Sequence, residues 1–453
     1  MTYRKKLCFL LCTTALILAA SQAAIAQAPL AGEAAQERYD ASFQAMLADP
    51  SNLDKTFAYA ELSVEIGNFE GAISALERML LLNPNLPRVR LELGVLYYRI
   101  GSFDVAKEYF AEIQASADAP APVKTRVAEY LKAIEAAKSP HSLTVSLTAG
   151  MRYQSNANAA ANQPDNIRSP FGTLSLPDNQ RSRGDFNGFS VAQATYRYDL
   201  QTQDGDSIEV SALLYGTQQF KISRLNVGLM EMTAGPRINL PTLAAGFNVR
   251  PYVIANYLMI GGSGYYSTLG AGLNGVVPLS AQTQVSATFE TRRKGFYTNA
   301  ANPNQRERDS SDNNLQLGVR HQLFDQGFLG FDTYYRFEMA QRAWHSNREF
   351  GATVSYTHLL DDYLGLTDLP WTVQLAGTRA YTSYDEADPS VVDTTIDSLR
   401  RRDSKWELGG VLLIPVTSWA TLQMQIQQQW VKSTYAQNQF DNLAGIMALQ
   451  VRF

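Results

Sequence analysis

Apolar and polar residues alternate with a period of two through most of the chain beyond Leu143. In residues 421–430, Leu422, Met424, Ile426 and Trp430 share one phase while Gln423, Gln425, Gln427 and Gln429 share the other. In 331–339, Phe331, Thr333, Tyr335, Phe337 and Met339 oppose Asp332, Tyr334, Arg336 and Glu338. In 284–290, Val285, Ala287 and Phe289 oppose Gln284, Ser286, Thr288 and Glu290. Such a period is a strand with two unlike faces. About fourteen segments of this kind run from 143–152 to 442–453. Each is about ten to fourteen residues long, the length a tilted strand needs to cross a membrane.

Residues 36–138 follow the helical period instead and are rich in Ala, Leu and Glu. Ala60, Leu62, Gly67, Phe69, Ala72 and Leu76 align with Gly94, Leu96, Gly101, Phe103, Ala106 and Phe110 at a constant offset of 34 residues. That offset is the tetratricopeptide period, with small residues where paired helices approach and glycines in the turn between them. Pro84 stands where a repeat-ending proline is expected, and its counterpart is Asp118. Flanking helices near 36–48 and 123–137 are expected to cap the two repeats, because one repeat cannot bury its apolar face alone. Stacked repeats present a concave groove for a peptide or protein.

Connection lengths separate a barrel from a soluble sandwich. The long connections 153–186, 295–312 and 384–403 all follow odd-numbered strands, and the tight ones, 204–206, 278–281, 323–327 and 416–419, follow even-numbered strands. Long loops of one parity predict an outer-membrane barrel, with the long loops outside the cell and the short turns in the periplasm. All five tryptophans, Trp344, Trp371, Trp406, Trp419 and Trp430, fall near strand ends, as interfacial girdles require. In the last segment Leu443, Gly445, Met447, Leu449 and Val451 share a phase with Phe453. A terminal aromatic in phase with the apolar face resembles the strand that barrel-assembly machinery reads. The expected fold is a helical tetratricopeptide domain, 27–138, followed by a transmembrane antiparallel barrel of about 14 strands, 139–453.

Residues 1–26 join the basic Arg4, Lys5 and Lys6 to an apolar run and to Ala24-Ile25-Ala26. This reads as a secretory signal peptide cleaved before Gln27. Both cysteines, Cys8 and Cys12, lie inside it, so the mature chain is expected to lack thiols and Cys-based metal sites. Losing the three basic residues takes the formal charge from -4 to about -7, which argues against general nucleic-acid binding. The four histidines, His141, His321, His345 and His358, fall in the interdomain linker, at strand ends or in a loop. His345 lies next to Ser346 without a third orienting group, and no phosphate loop, zinc pair or calcium loop is present in the sequence. No catalytic residue, metal or cofactor is therefore expected. Asp385, Glu386, Asp388, Asp393 and Asp397 beside Arg400, Arg401 and Arg402 form a charged outer loop that is either simply solvated or bridges cations and lipopolysaccharide phosphates.

Residues Leu91-Glu92-Leu93-Gly94-Val95-Leu96-Tyr97 with Ala106 and Phe110, the stretch 127–134, and Gly150-Met151-Arg152-Tyr153-Gln154-Ser155-Asn156-Ala157-Asn158 carry a resemblance. In this arrangement the chain resembles the surface lipoprotein assembly modifier (Slam) family, the type eleven secretion translocators. Asn156 and Asn158 match the Asn-x-Asn segment after that family's first strand. The resemblance implies an outer-membrane translocator that moves client proteins or lipoproteins from periplasm to cell surface, with the helical domain engaging client or chaperone. Barrel-assembly machinery, outer-membrane lipid and lipopolysaccharide are the other expected partners. Glu290, Arg292, Asp332, Arg336 and Glu338 fall on polar strand faces. They either line a passage or form a self-satisfied ion network filling a closed barrel. A glycan export porin is the alternative, although such exporters usually carry more repeats and a lumen of one charge sign. A passive porin leaves the helical domain unexplained.

Overall fold

The computed structural model describes residues 33–453 except 50–51, 85, 117–119, 300–302, 368 and 393–397. The expected signal peptide with Cys8 and Cys12, and also Asp118, Asp393 and Asp397, lie outside the described residues. The described chain divides into two compact units, one ending at Ser139 and the other running from Pro140 to Phe453.

The first unit holds α1 (Glu33–Ala48), α2 (Leu53–Glu65), α3 (Phe69–Leu82), α4 (Pro87–Arg99), α5 (Phe103–Ala115) and α6 (Ala121–Lys138). The pairs α2/α3 and α4/α5 are the two repeats. Gly67 and Gly101 turn between paired helices at φ +83° and +78°, a conformation that costs a side-chain-bearing residue but not glycine. Asn52 and Asn68 start α2 and α3 by accepting backbone N–H groups from Asp54, Lys55 and Gly71. Ala72, Leu93, Ala106 and Phe110 are fully buried between helices. At the two ends, Tyr39 and Phe43 of α1 cover Tyr59, and Val127 and Ile134 of α6 pack around Phe110. The flanking helices thus bury the apolar faces the repeats cannot bury between themselves.

The second unit is a closed antiparallel barrel of fourteen strands, each paired with its sequence neighbours. In chain order these are β1 (His141–Gln154), β2 (Asp185–Asp199), β3 (Ser207–Gln219), β4 (Val227–Asn239), β5 (Asn248–Ile260), β6 (Ser263–Pro278) and β7 (Thr283–Phe296). They continue as β8 (Ser310–Phe324), β9 (Gly327–Ala340), β10 (Asn347–Leu360), β11 (Trp371–Tyr384), β12 (Arg402–Pro415), β13 (Ala420–Ser433) and β14 (Phe440–Arg452). A 14-residue strand such as β1 is about 46 Å long and, tilted by about 40°, rises roughly 35 Å, enough to outlast an apolar band about 25 Å tall.

β1 and β14 close the barrel from Ser146↔Arg452 to Gln154↔Ala444. Val145 and Phe453 extend the seam by exchanging both backbone hydrogen bonds, at 3.2 and 2.9 Å. Leu443, Met447, Leu449 and Phe453 point outward and are exposed on the barrel surface, while Ala444 and Ala448 face in and are buried. The same split holds elsewhere: Leu147 and Met151 face out, and Ser146, Thr148, Arg152 and Gln154 face in and are buried. An apolar exterior around a polar interior is the reverse of a soluble core and suits lipid outside. On the outside Trp406 and Trp430 are cross-strand partners near one rim, and Arg379 lies 4.8 Å over the Trp406 ring.

The three connections expected to be long all lie at one end of the barrel, here the loop end; the other is the turn end. One loop-end connection is shorter than its sequence suggested: β5 and β6 run further than 248–258 and 266–277 and meet in a two-residue turn at Gly261 and Gly262. Their φ values of +59° and +78° match the hairpin turn whose twist fits flanking strands. A small hairpin, Ile167–Ser169 with Gly172–Leu174, also folds within the loop between β1 and β2.

Candidate functional site

Strand parity aims every second side chain into the barrel, and the charged ones meet across strands. Nearest the loop end, Lys294 bridges Asp312 (3.0 Å) and Glu338 (2.9 Å), and Arg336 bridges the same two carboxylates (2.7 and 3.0 Å). One layer deeper, Arg292 pairs with Glu290 (2.6 Å) and Glu231 (3.0 Å), and the Tyr252 hydroxyl donates to Glu290 at 2.5 Å. Toward the turn end, Glu209 holds Arg237 (2.7 Å) and Arg250 (3.1 Å), and Arg320 holds Asp332 (2.8 Å). On β12, Lys405 pairs with Glu407 at 2.6 Å.

Of the five lumen residues chosen from sequence, Glu290 and Arg292 sit together, Arg336 and Glu338 sit together, and Asp332 stands apart with Arg320. Each has an opposite charge in place. Lys294, Asp312, Lys405 and Glu407 belong to the same system and were not singled out from sequence. Their phase held the signal, since Lys294 continues the alternation of Glu290 and Arg292. The interior is drier near the loops: the Lys294 side chain is 9% exposed, against 46% for Arg320. Burying such charges is tolerable only because every partner is placed.

The start of the connection between β1 and β2 folds inward across the loop-end mouth of the barrel. Ala157, Ala159, Ala160 and Ala161 are almost completely buried there. Ala157 packs on Val227, Leu258 and Ile260, while Ala159 packs on Val431 and Phe440. These are inward positions of β4 and β5 on one wall and of β13 and β14 on the other, so the segment spans the mouth.

Asn156 and Asn158 hold it there. The Asn156 amide donates to the carbonyls of Ala160 (3.0 Å) and Asp441 (3.2 Å), and its oxygen accepts from the Ala160 N–H (2.9 Å). The Asn156 N–H donates to Asn442 Oδ1 at 3.0 Å, and Asp441 N–H donates to Asn162 Oδ1 at 3.1 Å. Asn158 donates to the Arg181 carbonyl (2.8 Å) and accepts from the Arg183 N–H (3.0 Å). The first asparagine thus ties the segment to β14 across the barrel seam, and the second ties it to the chain entering β2. Asn162 and Asn442 complete the clasp; no short-range pattern marked them, because they meet residues far away in sequence.

Two further loop-end elements lean on the mouth. Asp185 accepts the N–H groups of Lys221 and Ile222, and Val391 and Val392 pack on buried Tyr435. In the charged loop between β11 and β12, Arg401 pairs with Asp403 and Asp388 accepts from Ser390. The histidines are dispersed: His141 contacts Tyr196, His321 contacts Thr283, His358 contacts Tyr356, and His345 lies against Trp344. Ser346 caps the strand turn at Ala340, accepting its N–H at 2.9 Å. In the helical unit Tyr97 donates to Glu77 at 2.6 Å and stacks on Tyr109; the hydrogen bond to Glu77, aided by burial, pushes its hydroxyl up to about 12.

The class these features define is a transmembrane β-barrel of the bacterial outer-membrane type preceded by a tetratricopeptide domain. The tetratricopeptide repeat family model matches residues 64–130. No curated protein matches the chain. Among solved structures, a bacterial polysaccharide outer membrane secretin is similar at 8% identity over 68% of this chain and 98% of that one, with a TM-score of 0.34. The Yersinia enterocolitica type III secretion translocator chaperone SycD is similar at 16% identity over 23% of this chain and 74% of its own, with a TM-score of 0.22. PcrH in complex with the chaperone binding region of PopD is similar at 17% identity over 23% and 82%, with a TM-score of 0.21.

Proposed function

We propose that this protein is a gated outer-membrane export translocator. Its helical unit works in the periplasm, where it engages an exported client protein or lipoprotein, and the barrel passes the client outward. The observation that carries the reading is the mouth: a segment between β1 and β2 folds inward across it and is pinned across the seam by Asn156 and Asn442. A passive porin has no need of such a clasp or of tetratricopeptide repeats. The barrel chain begins at His141, directly after the helical unit ends at Ser139, so a client held by the repeats is tethered to the conduit it enters. The lumen also presents apolar side chains between its polar ones; Phe189, Val191, Leu213 and Ile446 all occupy inward phases. Such a mixed wall suits an extended polypeptide better than a hydroxylated glycan. No catalytic step is assigned to the chain, and Phe453 serves barrel assembly.

Deleting the protein in its own cells should abolish surface display of its client, as read by whole-cell protease shaving and mass spectrometry. A surface proteome unchanged on deletion would defeat the proposal, and loss of a surface glycan alone would reassign the cargo.

A further inference from the structure

Arg152, Asn187 and Gln219 lie side by side on β1, β2 and β3, since Arg152 is the register partner of Asn187 and Asn187 that of Gln219. All three point inward and are more than nine-tenths buried, at 8%, 0% and 5% exposure. Each carries a buried polar atom without a hydrogen-bond partner: Arg152 Nε, Asn187 Oδ1 and Gln219 Oε1. Among the described residues the Arg152 guanidinium makes one hydrogen bond, from Nη2 to the Tyr215 hydroxyl at 3.3 Å, and no ion pair. Every ion-paired lumen cation described above has a carboxylate; this one does not. Asp185, in the next inward layer, is occupied by the N–H groups of Lys221 and Ile222. A buried guanidinium without a counter-charge is costly, and unmet acceptors beside it add to the cost.

The row therefore offers a cationic donor next to two acceptors. Its complement is a carboxylate flanked by hydrogen-bond donors, which an aspartate or glutamate supplies within a peptide whose backbone N–H groups are free. The neighbouring inward positions, Phe189 on β2 and Ile446 on β14, are apolar and match peptide side chains. We propose that Arg152, Asn187 and Gln219 form a lumenal docking site, beneath the mouth segment, for an acidic stretch of a polypeptide. This deepens the export reading by naming what the lumen grips. The carboxylate sits on the guanidinium, and backbone N–H groups sit on the two amide oxygens.

The test uses the full chain in lipid nanodiscs, titrated calorimetrically with an acetylated peptide of alternating leucine and aspartate, its asparagine analogue, and a glucuronate trimer. The aspartate peptide should bind, and Arg152→Gln should weaken it at least about tenfold, the loss expected for a charge-assisted hydrogen bond. Asn187→Ala should weaken it less, and Arg152→Lys should restore part of the loss. Should Arg152→Gln fail to insert, Gln219→Ala and Asn187→Ala carry the test. Equal binding of the asparagine analogue, undiminished binding in the variants, or preference for the glucuronate trimer would overturn the assignment. Binding is read on purified protein, so its failure is separate from failure of the surface-display experiment.

Discussion

Replacing Asn156 by alanine should release the mouth segment without dismantling the barrel. The substitution removes three side-chain hydrogen bonds, two donated to Ala160 O and Asp441 O and one accepted from the Ala160 N–H. The bond to Asp441 O crosses to β14, whereas the two to Ala160 hold the segment's own turn, so at about 1 kcal/mol net for a hydrogen bond the direct hold on β14 weakens by about 1 kcal/mol. Each 1.4 kcal/mol is a factor of ten, so the released population should rise about fivefold. The barrel keeps its seam because the β1–β14 ladder is backbone-to-backbone and does not use this side chain. Purified protein in planar bilayers reads the outcome directly: wild type should be mostly closed with brief openings, and the variant should dwell open. Asn166→Ala is the matched control, since Asn166 lies exposed in the same loop and its amide reaches only Gln163, at 3.2 Å. If the Asn156 variant inserts normally and stays as closed as wild type, the clasp is not what holds the mouth shut.

Three further outcomes follow from the packing. A side chain at Gly94 would place its Cβ 2.6 Å from Phe110 Cε1, so Gly94→Ala should destabilise the helical unit by about 1–3 kcal/mol; circular dichroism should show an earlier helical melt, and an unchanged melt would contradict the packing. Lys294→Met leaves Asp312 and Glu338 sharing Arg336 alone, and removing one partner of such a buried group costs about 3–5 kcal/mol; urea unfolding of the barrel should shift accordingly, and no shift would mean the cluster is hydrated. Deleting Phe453 removes both backbone hydrogen bonds to Val145, and outer-membrane levels should fall while the helical unit stays folded; normal levels would show that the seam does not need this residue.

The two units and the orientation of most side chains in the barrel are legible in the amino-acid order alone. A 34-residue offset survives in the primary structure because each repeat packs chiefly on its neighbours, so Gly67 and Gly101 or Ala72 and Ala106 recur at fixed spacing. Strand phase is equally local, since a period of two assigns Leu449 outward and Ala448 inward wherever the strand lies. The turn at Gly261 and Gly262 is also written locally, as two glycines between alternating runs that reach right up to them. What the lumen holds was not local. Phase placed Glu290, Arg292, Asp332, Arg336 and Glu338 inside, but their partners Glu231, Arg320, Asp312 and Lys294 are set by register across strands. Asn156 likewise meets Asn442 and Asp441 only because β14 returns to lie against β1. Barrel closure decided that contact, and with it the difference between a strand followed by a polar loop and a loop segment buried against the inner wall.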